Sequence, residues 1–210
     1  MAQADIPPSR PDAPLPAKAA QILAAAKEVF LQQGFGAASM DAIARTAGVS
    51  KATLYAHFQG KEELFARVVS GEWASHWKQE TEPEAPADDP RAALESFGRR
   101  FVALLLHPEA LAIYRITVGE AVRFPELGRL FFEGGPATVR RRLTAYLAAA
   151  ASAGRLRVPD PALAAEQFLG MMQTPLHLRS LLDIGEGTGP REQARIIAAA
   201  VETFLAAHRT

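Results

Sequence analysis

The stretch "SMDAIARTAGVSKATLYAHFQGKEEL", Ser39 to Leu64, decides the fold of this 210-residue chain. Ser39 is a natural helix N-cap, and Asp41 follows in the first turn, where the helix dipole favours an acid. The run ends at Gly48, the residue type that most readily takes a left-handed conformation past a helix end. Only Val49 and Ser50 intervene before a second short helix, capped by Ser50, with Leu54 and Phe58 four apart on one face. The unit reads as helix, tight turn, helix, with Ile43, Gly48, Val49, Leu54 and Phe58 as its core. Gly60 then breaks the chain, and a longer helix restarts at Lys61 with Glu62 and Glu63 on the favourable end of its dipole.

On a helical wheel the second short helix turns Leu54 and Phe58 inward and Ala52 and Ala56 outward, flanked by Tyr55 and Thr53. Small outward residues let a helix approach a surface closely, while a cation at its N-terminus and hydroxyls on its flanks offer donors to phosphates or base edges. A DNA major groove about 12 Å wide admits one such helix, and the residues at its N-terminal end reach the bases. Here those are Ser50, Lys51, Ala52 and Thr53. The formal net charge of the chain is zero, which is unusual for a nucleic-acid binder. Locally the balance differs: between Asp41 and Glu62 there is no acid, while Arg45, Lys51, His57 and Lys61 all fall in that window.

Working outward, the spacing of Ile22, Ala26, Val29 and Phe30 predicts a helix from Ala17 that Gly34 stops. Residues 1–16, rich in proline and alanine, are expected to be a disordered arm. The acidic, proline-rich run 80–90 is a linker, and beyond it helices are expected over 91–106, 109–123, 126–132, 136–153, 161–182 and 190–207, each bounded by proline or glycine. No stretch alternates as a strand would, so the class is all-α. The division is an arm (1–16), a three-helix helix-turn-helix DNA-binding domain (17–69) and a helical ligand-binding and dimerisation bundle (70–210).

The run "FGAASMDAIARTAGVSKATLYAHFQGKEELF", Phe35 to Phe65, resembles the DNA-binding domain of the TetR/AcrR family of bacterial transcription regulators, and the likeness extends over residues 17–69. The resemblance implies that Ser39, Tyr55, His57 and Lys61 hold phosphates and that Lys51, Ala52 and Thr53 face bases. One departure is Gly60, where the family commonly has a capping Ser or Asn. "IYRITVGEAVRFPELGRLFFEGGP", Ile113 to Pro136, resembles the C-terminal domain of the AefR-like subgroup, which implies a helical effector-binding and dimerisation half.

The last two helices carry broad apolar stripes, and Leu163, Met171, Leu178, Ile197, Val201 and Phe204 are expected at a two-fold dimer interface. Trp77, Tyr114, Arg115, Glu120, Gln173 and His177 are polar or amphipathic groups among large apolar ones, the usual make-up of a small-molecule pocket. Arg115 and Glu120 could equally pair with each other or with Arg123, and the Arg140-Arg141-Arg142 triplet with acids of the linker.

The partners expected are therefore a double-stranded DNA operator, a second copy of the chain and an unidentified small-molecule effector, with no membrane partner. No cysteine, no metal-ligand spacing and no nucleophile motif is present, so no catalytic group, metal or cofactor is expected, and the N-terminal run lacks the pattern of a secretory signal, in keeping with a cytoplasmic setting. Two further readings stay open on residues alone: a helix-turn-helix used for protein contacts, and a bundle that binds a hydrophobic small molecule without DNA.

Overall fold

The computed structural model describes residues 16–78, 89–184 and 188–209. The arm expected over 1–16 and the linker over 80–90 lie almost wholly outside the described residues. Ten helices follow one another: α1 (Ala17–Ala37), α2 (Met40–Thr46), α3 (Lys51–His57), α4 (Lys61–Lys78), α5 (Pro90–Leu105), α6 (Pro108–Glu120), α7 (Pro125–Gly134), α8 (Pro136–Ser152), α9 (Pro161–Leu181) and α10 (Pro190–His208). No strand occurs among the described residues. Every helix from α5 onward starts on a proline, whose fixed φ and missing N–H suit a first turn. For α5, α6 and α7 this places the start one residue before the sequence estimate.

Capping explains the other boundaries. Ser39 accepts from the Ala42 N–H, Ser50 from the Thr53 N–H, Asp89 from Arg91 and Ala92, and Asp160 from Ala162 and Leu163. The first helix departs from expectation: instead of stopping at Gly34 it bends there, with φ at 75°, and a last turn runs on to Ala37.

Two apolar cores organise these helices. One gathers Ile22, Val29, Phe30 and Phe35 of α1, Ile43 of α2, Leu54 of α3 and Leu64, Phe65 and Val69 of α4, and also takes in Ile113, Leu127 and Phe131 from α6 and α7. Phe65 meets Phe30 and Phe35 edge-on with ring centroids 5.5 Å apart, and Phe124 closes on Phe35 at 5.2 Å. The other core is built from α5, α8, α9 and α10, with Phe168 and Phe204 edge-to-face at 5.3 Å.

Half of the expected interface is corrected here. Ile197, Val201 and Phe204 are 6%, 0% and 2% exposed and belong to the chain's own second core, so they cannot meet a partner. Leu163 and Leu178 are exposed and Met171 is half-buried, so these three do face outward.

Among the described residues no single helix is long and apolar enough to cross a membrane, and α5 with α6 passes on composition only as a pair bent by 62°.

The turn between α2 and α3 rests on backbone geometry. Gly48 sits at φ 61°, and the Val49 N–H bonds back to Ala44 O at 3.0 Å while Gly48 N–H reaches Arg45 O at 3.1 Å. A Cβ at Gly48 would touch nothing within 4 Å. The cost of Gly48→Ala is thus conformational alone, and we expect a loss of about 1–2 kcal/mol, read as a lower denaturation midpoint at unchanged denaturant slope.

Candidate nucleic-acid interface

Short helices seldom hold their shape alone, so α3 depends on anchors beneath it. Leu54 and Phe58 are buried with Ile43 in the first core, and Val49 is packed against it. The opposite face of α3 is open: Ser50, Lys51, Ala52, Tyr55, Ala56 and His57 are exposed, Thr53 is half-buried, and Ser39 stands exposed at the start of α2. The expected outward residues of α3 are therefore open to solvent, as is Ser39 on α2.

Two local contacts order that surface. Ser50 Oγ, besides capping the helix, lies 2.8 Å from Thr53 Oγ1, which ties the two hydroxyls together. Lys51 Nζ lies 2.6 Å from Asp41 Oδ2, with both side chains exposed. The window without acids in sequence is thus closed in space by the acid at its own edge.

Lys61 is the main correction. Its ammonium points into the protein, donating to Phe35 O at 2.9 Å, Ala38 O at 3.3 Å and Gly36 O at 3.4 Å, and it stands 4.5 Å above the Phe35 ring. A side chain engaged with three carbonyls does not present its charge to a phosphate. At the neighbouring Gly60, where a capping side chain is missing, Glu63 reaches back to accept from the Gln59 N–H at 2.9 Å, half of a capping box.

The residues expected to line an effector pocket separate. Tyr114 and His177 meet edge-to-face at 4.8 Å, and Tyr114 meets Phe131 at 5.5 Å. Burial, and then the Arg115 guanidinium, lower the affinity of His177 for a proton below the ordinary histidine value of 6.5. The neutral ring is favoured, so its contribution to stability is present above that value and is lost as pH falls through the lower folded one.

Arg115 pairs with neither Glu120 nor Arg123. It donates from Nε to Leu181 O at 3.0 Å and from a terminal nitrogen to Ser180 O at 2.7 Å, capping the C-terminus of α9. Glu120 accepts from the Gly36 N–H at 2.9 Å. Gln173 is exposed, and the Trp77 side chain lies outside the described residues. Of the arginine triplet, Arg140 bonds Glu166 at 2.5 Å and Arg141 bonds Thr138 at 2.8 Å.

Sequence reasoning missed Tyr146 on α8: its hydroxyl is buried against the second core with no hydrogen-bond partner among the described residues, and burial raises its pKa. An open groove of about 400 Å3 lies beside α9 and α10, lined by Met171, Arg179, Glu192, Arg195, Ile196 and Ala199 among others.

A rigid turn carrying an outward-facing helix on a three-helix core, followed by an all-helical bundle, defines a helix-turn-helix regulator. Residues 22–68 match the tetR family of bacterial regulatory proteins, and residues 92–210 match the AefR-like transcriptional repressor C-terminal domain. The chain belongs to the TetR family of transcription regulators. The flavonoid-responsive regulator FrrA is 40% identical, with a TM-score of 0.79, covering 91% of this chain and 97% of that one. A TetR-family regulator from Mesorhizobium loti MAFF303099 is 28% identical, with a TM-score of 0.75, covering 92% and 97%. The transcriptional activator FasR of Mycolicibacterium smegmatis is 55% identical over 49 residues, which are 23% of this chain and 22% of that protein. QacR of Staphylococcus aureus is 38% identical over 63 residues, 29% of this chain and 34% of that protein. These two curated relatives are matched over about a third of their length or less.

Because Lys61 bonds inward, its removal acts on folding first. Lys61→Met strips three carbonyls of their partner and is expected to destabilise the protein by roughly 1–3 kcal/mol. Any weakening of DNA binding by the protein that stays folded should be smaller, which comparing thermal unfolding with titration below the transition checks.

Proposed function

We propose that the chain is an effector-responsive repressor that binds a near-palindromic operator as a homodimer in the cytoplasm. The observation that carries the DNA assignment is the exposed face of α3, where Ser50, Lys51, Ala52 and Thr53 stand on a helix locked by buried Leu54 and Phe58. Those four residues reach base edges, and Ser39, Tyr55 and His57 flank them toward phosphates. TetR-family regulators bind DNA operators and typically act as dimers. The direction of control is inferred from the match to an AefR-like repressor domain over the second half. The activator FasR is matched over only 49 residues, too little of either chain to argue otherwise.

The dimer surface we favour is the outward side of α9 and α10. Leu163, Met171 and Leu178 lie along α9, the exposed Ala198, Ala199, Ala206 and Ala207 along α10, and the open groove runs beside them. Small residues allow two helices to approach closely, and a four-helix interface follows from two-fold symmetry. Such a dimer would hold two copies of α3 about 34–36 Å apart, one turn of DNA.

Effector coupling runs through α6. At one end Lys27 of α1 bonds Glu109 at 2.5 Å, at the other Glu120 holds the Gly36 N–H, and between them Tyr114 and Arg115 grip α9. An effector that enters beside α6 and binds better when α6 is displaced must, by linkage, weaken DNA binding. Tyr114 and His177, whose rings meet at 4.8 Å, are the contacts we assign to it. FrrA responds to flavonoids by its name, and the aromatic set of Tyr114, Phe131 and His177 suits a flat, mainly apolar effector of that general kind.

Selection of duplexes from a random pool should yield a near-palindrome whose affinity falls with salt at a log–log slope of about 0.9 per phosphate neutralised; recovery of no preferred duplex overturns the DNA assignment. Lys51→Ala should cost roughly 1–3 kcal/mol at one base position of each half-site, measured with single-base operator variants. Replacing Leu163 and Leu178 by glutamate should give a monomer by sedimentation and lower operator affinity by roughly two orders of magnitude; a dimer of unchanged mass places the interface elsewhere.

A further inference from the structure

The reading surface of α3 contains one feature that base or phosphate contacts do not account for. Asp41, a carboxylate on the DNA-facing side, lies 2.6 Å from the ammonium of Lys51, and the two side chains are 50% and 65% exposed. A negative charge beside phosphates works against binding unless it does something else. We propose that Asp41 is a specificity-determining residue: it aims Lys51 at a base edge and withholds it from the phosphate backbone. This inference rests on the DNA-binding assignment above.

The chemistry of the pair supports that role. Lysine is a point charge on a flexible four-carbon stem, so an unrestrained Lys51 at the first position of α3 sweeps a wide arc and settles on whichever phosphate is near. Phosphate contacts carry affinity without sequence information, whereas base-edge contacts carry the sequence. The carboxylate, fixed on α2 by the Ser39 cap and the buried Ile43, confines the ammonium to the side of α3 that faces α2. An exposed ion pair is weak enough for Lys51 to exchange onto a base when the correct one is presented.

That confinement lowers attraction to arbitrary DNA more than attraction to the operator. Lys61, turned inward, does not offset this restraint.

The test compares Asp41→Asn, Asp41→Glu, Lys51→Ala and the Asp41→Asn/Lys51→Ala double variant of the full chain. Each is titrated with the selected operator and with random duplex of equal length from 50 to 200 mM salt, and thermal unfolding verifies the fold. Asp41→Asn is expected to tighten random duplex by roughly 3- to 10-fold and to steepen its salt dependence by about 0.9 per reading head as Lys51 takes a phosphate. The operator should gain less, so the ratio of operator to random affinity falls about 3-fold or more. Asp41→Glu, which keeps the charge and the pair, should hold the ratio near that of the parent. In the Lys51→Ala background the Asp41 substitution should leave the salt slope unchanged.

An equal change on both duplexes overturns the proposal. So does a slope increase that persists without Lys51, since Asp41 would then act as a plain surface charge. A parent protein that prefers no duplex overturns the DNA assignment itself, an outcome separate from either.

Discussion

The ammonium of Lys61 holds the end of α1 in place, and the geometry of the reading surface depends on it. The first helix bends at Gly34 and finishes with its carbonyls turned out of line, and Phe35, Gly36 and Ala38 offer theirs to a single cation at the start of α4. Terminal carbonyls of a helix need partners, and a lysine brought in from another helix satisfies several at once. The same cation lies over the rings of Phe35 and Phe124, so it is held from the apolar side as well. Moving it would release both the path from α1 to α2 and the start of α4. The position of α3 is set from these two sides.

A second charge acts on the same short strap. Glu120, at the end of α6, takes the Gly36 N–H, so the strap sits between a cation from the DNA-binding half and an anion from the second half. The approach is close enough that a Cβ at Gly36 would fall 2.9 Å from Glu120 Oε1, so a side chain there would displace that carboxylate. Hydrogen bonds to charged groups are the stronger kind and are sensitive to distance and angle. A sub-ångström shift of α6 is therefore felt at the strap more sharply than through the apolar contacts around it, which can slide. The pairing of α6 with α1 at both ends, through Glu109 and Glu120, makes α6 a bar rather than a lever with one free end.

Much of this was legible in the chain, and what was not has a common cause. Caps, prolines and a left-handed glycine act within a few residues, so Ser39, Gly48, Ser50 and the six proline starts marked the helices to within about a residue or two. Burial of Ile43, Leu54 and Phe58 followed from a period of 3.6. Apart from the stop expected at Gly34, where α1 bends and runs on, the failures concern where a side chain goes once helices pack. Lys61 in sequence is an exposed-looking cation, and only the bend at Gly34 brings three carbonyls within its reach. Arg115 and Glu120 looked like partners for each other, yet one caps α9 and the other the strap. On α10 the apolar stripe was read as a surface for a partner, but periodicity cannot say whether a stripe faces the chain's own core or another copy. Ile197, Val201 and Phe204 took the inner side, leaving alanines outside. Tyr146 carried no pattern at all, since a lone tyrosine in an alanine-rich helix is ordinary until its hydroxyl is found buried.

The charge economy of the reading surface follows from these placements. Of the four basic side chains counted in the sequence window, Lys61 is turned inward and Lys51 is paired to Asp41, while Arg45 and His57 stand exposed. The neutral whole-chain balance and the modest local one then agree. On the proposed reading, each cation engaged within the protein gains less from counterion release, and fit carries more of the affinity. On that reading, the outward Ala52 and Ala56 would serve that fit by letting the backbone of α3 approach the groove, with the Ser50–Thr53 hydroxyl pair at its edge. Few side chains are left to read bases directly. Discrimination in such an arrangement leans on a second copy of α3 held at the right spacing and on the shape of the duplex between the two, whose bending cost depends on sequences the protein never touches.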